Sequence, residues 1–228
     1  MNLDSGDLIV LVADICMQKA VEGLLSRASI LGVRKITSLV LRHPHHDAVG
    51  KRAAEFLRVY LGSFSHALVM FDREGSPFER KQTNETEKKV TRNLSRSGWD
   101  NRAACVVIDP ELDVWVWSSS PQVAHCLGWN RSDIEPRKWL ADQGFWPSDS
   151  PKPNSPKECV EKVLRCAGMR PSASVFSELS QRVNPKNCTD SSFLLFKGIL
   201  QAWFPSSPTV APNFSIPGCV GKTRRGQS

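Results

Sequence analysis

The sequence predicts an α/β protein: a mostly parallel sheet flanked by helices, with a helical C-terminal extension. Three observations lead there. Short apolar runs of strand type alternate with segments of helical period through the first half of the chain. Acids, glycines and prolines punctuate the junctions between them. Beyond residue 130 the strand-type runs stop and only helical periodicity remains.

The first strand is "DLIVLVAD", bounded by Asp7 and Asp14. In the following "ICMQKAVEGLLSRASILG", Met17, Ala20, Val21, Leu24 and Leu25 recur on one helical face, and Gly32 supplies a stop. "KITSLVLRH" is the second strand. After it, "DAVGKRAAEFLRVYLG" sets Ala53, Phe56, Leu57, Tyr60 and Leu61 on one face and ends at Gly62. "HALVMFD" is the third strand. A helix in "NETEKKVTRNLSRSG" begins with Asn84 as cap and Glu87 as its capping-box partner. "RAACVVID" is the fourth strand, and Asp109-Pro110 has the form of a cap followed by proline at the first helical position. Alternation at this spacing favours right-handed βαβ units and a parallel sheet.

In the second half, Ser120 and Pro121 open a short helix in "SSSPQVAHCLGW", and residues 146–157 form a proline-rich connector. Three amphipathic helices follow in "KECVEKVLRCAG", "SASVFSELSQRV" and "DSSFLLFKGILQAWF"; in the last, Phe193, Phe196, Ile199, Leu200 and Trp203 share a face. The expected organisation is an α/β core over 1–130, a helical extension over 131–204, and a disordered tail over 205–228, where Pro, Ser and Gly accumulate. "GCVGKT" at 218–223 looks like a phosphate loop but lacks the spacer between its glycines and follows no strand.

Composition bounds the function. The chain of 228 residues is 40% hydrophobic and 23% charged, ordinary for a globular protein. No apolar run approaches the roughly eighteen residues of a membrane helix, so no membrane partner is expected. The acidic start "MNLDSGD" lacks the basic region of a secretion signal, which points to the cytosol. Seven cysteines, an odd number with no C-x-x-C pair, read as reduced and non-ligating. The net charge of +7 favours a polyanionic partner, nucleic acid above all.

Ligands of open parallel sheets bind beyond the carboxyl ends of the strands. The first strand ends there in Asp14. The second ends in "RHPHHD", with Arg42, His43, His45, His46 and Asp47. The third delivers Asp72 and Glu74, and the fourth Asp109, Glu111 and Asp113. Crowded carboxylates raise one another's pKa unless a cation relieves them, and carboxylate oxygens suit Mg²⁺ or Mn²⁺. Metal-assisted chemistry on a phosphodiester is the hypothesis that follows, with Arg42 or His43 touching substrate. Each acid has a structural reading beside it. Asp14, Asp72 and Asp109 stand where N-caps stand, and Glu111 and Asp113 fall in a helical first turn. Three crowded histidines after a strand do not converge readily on zinc. Trp115, Trp117 and Trp129 read as packing residues against the sheet, with base stacking by one of them as the alternative.

From "ALVMFDREG" and "DPELDVWVW", together with "DLIVLVAD", "LGW" at 127–129, "PKE" at 156–158 and "CTDSSFLLFKGILQAWF", the chain resembles the TOPRIM-like family of bacterial defence islands. Within that family it resembles a component of the methylation-associated defence systems. The resemblance implies antiviral defence, with other subunits of the system as partners. It also implies a first-strand acid and a D-x-D pair that hold Mg²⁺ for work on phosphodiesters. Asp72 and Glu74 match that pair, with glutamate in second place, and Asp113 matches the acid two residues before a tryptophan. Asp14 stands where the pattern has a glutamate followed by glycine. The expected site is therefore Asp14, Asp72 and Glu74 as catalytic residues that hold metal, joined by Asp113. The alternatives are a non-catalytic subunit that binds nucleic acid or protein, and a phosphohydrolase of small nucleotides.

Overall fold

The computed structural model describes residues 5–206. The tail expected to be disordered lies outside the described residues apart from Pro205 and Ser206, as does the sequence at 218–223. Pro205 forms an antiparallel bridge with Val33.

Four strands, β1 (Gly6–Val12), β2 (Ser38–Arg42), β3 (Phe64–Asp72) and β4 (Ala103–Ile108), form one sheet of order β2-β1-β3-β4, and every pairing is parallel. In register, Val12 stands opposite Arg42 on one side and Met70 on the other, and Asp72 stands opposite Ile108. The chain runs from β1 outward to β2, then crosses to the other side of β1. The switch point of the sheet therefore lies between β1 and β3.

Successive side chains of a strand face opposite ways, and each face has its own helical layer. Leu8, Val10, Val12, Leu68, Met70, Val106 and Ile108 share one core with α1 (Ile15–Leu25) and with the helices of the extension. Those are α5 (Gln122–Cys126), α6 (Pro136–Asp142), α7 (Pro156–Cys166), α8 (Ala173–Arg182) and α9 (Ser191–Trp203), numbered after the short α2 (Ala28–Leu31), α3 (Val49–Leu57) and α4 (Thr83–Arg96). Ile9, Leu11, Val69, Phe71, Cys105 and Val107 face α3 and α4 and form the second core. Leu140, Leu164 and Phe196 pack in the same core as β1, so the extension covers a sheet face that would otherwise be bare.

Local signals explain most boundaries, and four differ from expectation. The first helical segment breaks after Leu25: α1 ends, α2 follows, and Gly32 closes α2 with φ of 73°. The α4 helix begins at Thr83, with Gln82 in the cap position and no side-chain cap. Glu87 is not a capping-box partner, because its Oε1 accepts the N–H of Val107 on β4. Asp109 is not an N-cap either. The Asp109–Pro110 peptide is cis, Asp109 pairs with Arg73 at 3.0 Å, and only a 3₁₀ turn, Leu112–Trp115, follows. Helix α6 carries Pro136 in its first turn and lies at the start of the expected helical extension, in a stretch where no individual helix was delimited. The six cysteines among the described residues are free.

Candidate functional site

The β1–β3 register carries two acids to the switch point. Val12 pairs with Met70; two residues further on stand Asp14 and Asp72. Asp14 caps α1, its Oδ1 accepting the Met17 N–H at 2.8 Å. Asp72 ends β3 on the same face as Met70, and its Oδ1 accepts the Leu112 N–H at 2.9 Å. That bond ties the strand end to the turn after β4, which brings Glu111 and Asp113 to the same crevice. Each of the two aspartates thus spends one carboxylate oxygen on a backbone amide.

Burial pushes the Asp72 carboxyl well above its ordinary pKa, and the charges of Asp14, Asp113 and Glu111 push it further, against the pull of the Leu112 N–H. Burial and Glu111 raise Asp113 to about 7, although Lys157 opposes them. Burial also raises Glu111, with Lys157 opposing and Glu74 adding to the rise. The Cys16 thiol, beside this cluster, is pushed up to about 11 by burial and by Asp14 and Asp113, so it stays protonated and is no nucleophile at neutral pH.

The balancing charge comes from the extension. Lys157, near the N-terminus of α7, places its Nζ 3.8 Å from Glu111 Oε2. A carboxylate at a helix N-terminus is favourably placed. Desolvation disfavours the Lys157 charge, yet Glu111, Asp113, Glu161 and Asp72 outweigh it and its pKa is raised.

The structure therefore brings together Asp14, Asp72 and Asp113 and adds Glu111 and Lys157. It sets the other expected residues apart. Glu74 is exposed in the turn after β3, where its N–H donates to Pro110 O, and it reaches the cluster only through its field at Glu111. Arg42 is exposed at the end of β2, on the opposite side of β1 from β3. His43 is buried, its ring against Phe56 and its Nδ1 within hydrogen-bond distance of the backbone of His45, donating to the C=O or accepting from the N–H according to its tautomer. The signal for Glu111 and Lys157 was weak: an acid in an expected helical first turn, and a lysine distant in sequence. Trp115 is a packing residue as expected, and its indole N–H donates to Ser192 Oγ and Asp190 Oδ1 at the start of α9.

The side chains gathered here offer carboxylate oxygens, the kind of ligand that hard divalent cations take, and burial first, then their mutual repulsion, raises the pKa values of Asp72 and Asp113. Among the described residues no group of three or more His, Cys, Asp or Glu side chains is arranged so as to hold a metal ion. No helix among the described residues is long and apolar enough to cross a membrane. Comparison with protein-family models, with curated proteins and with solved structures finds no match to this chain.

Proposed function

We propose that the chain is a TOPRIM-like component of a bacterial antiviral defence system, and that its crevice holds Mg²⁺ or Mn²⁺ and acts on phosphodiesters of nucleic acid. One observation carries the reading: Asp14 and Asp72 continue the β1–β3 register to the switch point, with Asp113 raised to about 7 beside them. The cation, held by Asp72 with Asp14 or Asp113, would polarise a phosphoryl oxygen and offset charge on the phosphate. Where Asp14 is the second ligand, Asp113 is left free to take a proton from an attacking water or return one to the leaving oxygen. Lys157 adds a positive charge at the rim for a phosphate oxygen. Exposed Lys51 and Arg52 on α3, Lys88 and Arg92 on α4, and Arg42 supply the backbone contacts that a polymer substrate needs.

A second reading has its own support. Lys157 already occupies part of the role of a cation, which suits a non-catalytic subunit that binds nucleic acid or another defence protein.

Thermal melts of wild type and Asp72→Asn in EDTA, Mg²⁺ and Mn²⁺ separate the two. Asparagine keeps an acceptor for the Leu112 N–H, so the fold should persist. Metal at a hundred times its Kd should stabilise wild type by about 2.7 kcal/mol and leave the variant unmoved. Cleavage of single- or double-stranded nucleic acid should then be lost in Asp72→Asn while binding remains. Equal melts under all conditions would favour the binding subunit.

A further inference from the structure

A cleft of about 520 Å³, sharing none of the acidic residues above, opens between the serine run after β4 and the segment that joins α6 to α7. Its size lies within the roughly 300–1,000 Å³ of small-molecule sites. Two cations are built into its wall. Lys152 Nζ donates to Val114 O at 2.7 Å and to Trp117 O at 2.6 Å. An ammonium has three donors, so one remains. Arg137 lies over the Trp146 ring at 4.9 Å and donates to Ser150 O at 3.1 Å, and the Trp146 indole N–H donates to the same carbonyl at 2.9 Å. The Ser150 hydroxyl in turn accepts from Lys152 N–H and donates to Lys152 O. One short segment thereby positions both cations.

Neither cation has a carboxylate within ion-pair distance among the described residues. Burying a charge is costly unless it is paired, and two carbonyls offset only part of that cost for Lys152. Ser118 Oγ, in the same wall, is buried with no hydrogen-bond partner among the described residues, and Ser119, Ser120 and Thr189 line the cleft nearby. Glu135 is the acid of the lining, and it is exposed. Apolar surface from Trp117, Trp146, Pro121 and Val123 makes up much of the rest.

We infer that this cleft binds a phosphate monoester that carries a flat organic group, in the size class of a nucleoside monophosphate. The phosphate lies against Arg137, the remaining Lys152 donor and the Ser119 hydroxyl, and the organic group lies along the tryptophan and proline side. A phosphate presents three strong acceptor oxygens, which match two cations and a run of hydroxyls better than the two oxygens of a carboxylate do.

The test is calorimetric titration of the whole protein with adenosine monophosphate, adenosine and inorganic phosphate. Adenosine monophosphate should bind, adenosine should bind at least about tenfold more weakly, and inorganic phosphate should compete. Arg137→Gln, at an exposed position, should melt as wild type yet lose at least about tenfold in affinity for the monophosphate. Asp72→Asn should bind it as wild type does, which separates this cleft from the acidic crevice. The inference is overturned by no binding at millimolar ligand, by equal affinity for adenosine, by an unaffected Arg137→Gln, or by loss of binding in Asp72→Asn.

Discussion

Lys157 Nζ stands 3.8 Å from Glu111 Oε2, and the two side chains differ sharply in exposure, 60% for the lysine and 13% for the glutamate. The lysine reaches in from solvent toward a carboxylate that cannot reach out. It lowers the pKa of both Glu111 and Asp113. Replacing Lys157 with Met should therefore raise both pKa values. Because the lysine is mostly exposed, the loss of stability at pH 8 should stay below about 1 kcal/mol and should vanish at pH 4, where the carboxyls are neutral. If the crevice takes a cation, Lys157→Met should bind Mn²⁺ more tightly, since a competing positive charge has gone. Melting curves at the two pH values and a Mn²⁺ titration read both effects.

Asp113 makes the protein sensitive to alkali. Its pKa is about 7 in the folded protein against an ordinary 3.8. Between those values the folded state binds more protons than the unfolded state, so stability falls as pH rises. The cost is absent below the lower value and complete above the upper one. It amounts to at most about 4 kcal/mol for an isolated group and less where Glu111 titrates with it. Asp113→Asn should consequently be more stable than wild type at pH 8 and equal to it near pH 4. A melting temperature at pH 8 no higher than wild type would refute this account.

Asp14 has a structural task that can be separated from any chemical one. Its Oδ1 caps α1 through the Met17 N–H. Asp14→Ala should cost about 1 kcal/mol. Asp14→Ser keeps a capping oxygen and should recover most of that stability, but it supplies no carboxylate to a cation. Chemical denaturation measures the first difference. The Mg²⁺-dependent shift in melting measures the second, and both variants should have lost it if Asp14 is a ligand.

Gly23 is the close-contact point between α1 and α8. A Cβ there would stand 1.8 Å from Ser180 Oγ and 2.8 Å from Ser180 Cβ, and Ser180 itself is buried. Arg27 fastens the same contact by donating to Ser180 O and Val183 O, each at 2.8 Å. Gly23→Ala should destabilise the protein by about 1–3 kcal/mol through overpacking, although alanine is the better helix former. The double variant Gly23→Ala, Ser180→Gly should regain part of that loss in the same unfolding assay.

Much of the fold was legible because its signals are local. Apolar runs such as "DLIVLVAD" had to be buried on both faces, and the period of Met17, Ala20, Val21, Leu24 and Leu25 suits only a helix. Where local rules failed, a distant partner had won. Glu87 bonds Val107 on β4 rather than capping its own helix, and Asp109 pairs with Arg73 rather than opening one. Neither partner is close in the chain.

The sequence by itself determined the parallel α/β alternation, the extension of helices, and the delivery of an acid beyond the end of each of the four strands. Those depend on periodicity and on turn chemistry within a few residues. Only the tertiary structure decided which acids meet. The order β2-β1-β3-β4 sets Asp14 beside Asp72 and sends Arg42 to the other side of β1. The turn after β3 leaves Glu74 in solvent, and the Phe56 ring closes over His43. The bond from Leu112 N–H to Asp72 draws Glu111 and Asp113 in, and α7 brings Lys157 from far along the chain to meet them. Such meetings depend on strand order and helix packing, in which residues remote in sequence become neighbours, and local spacing carries no record of them.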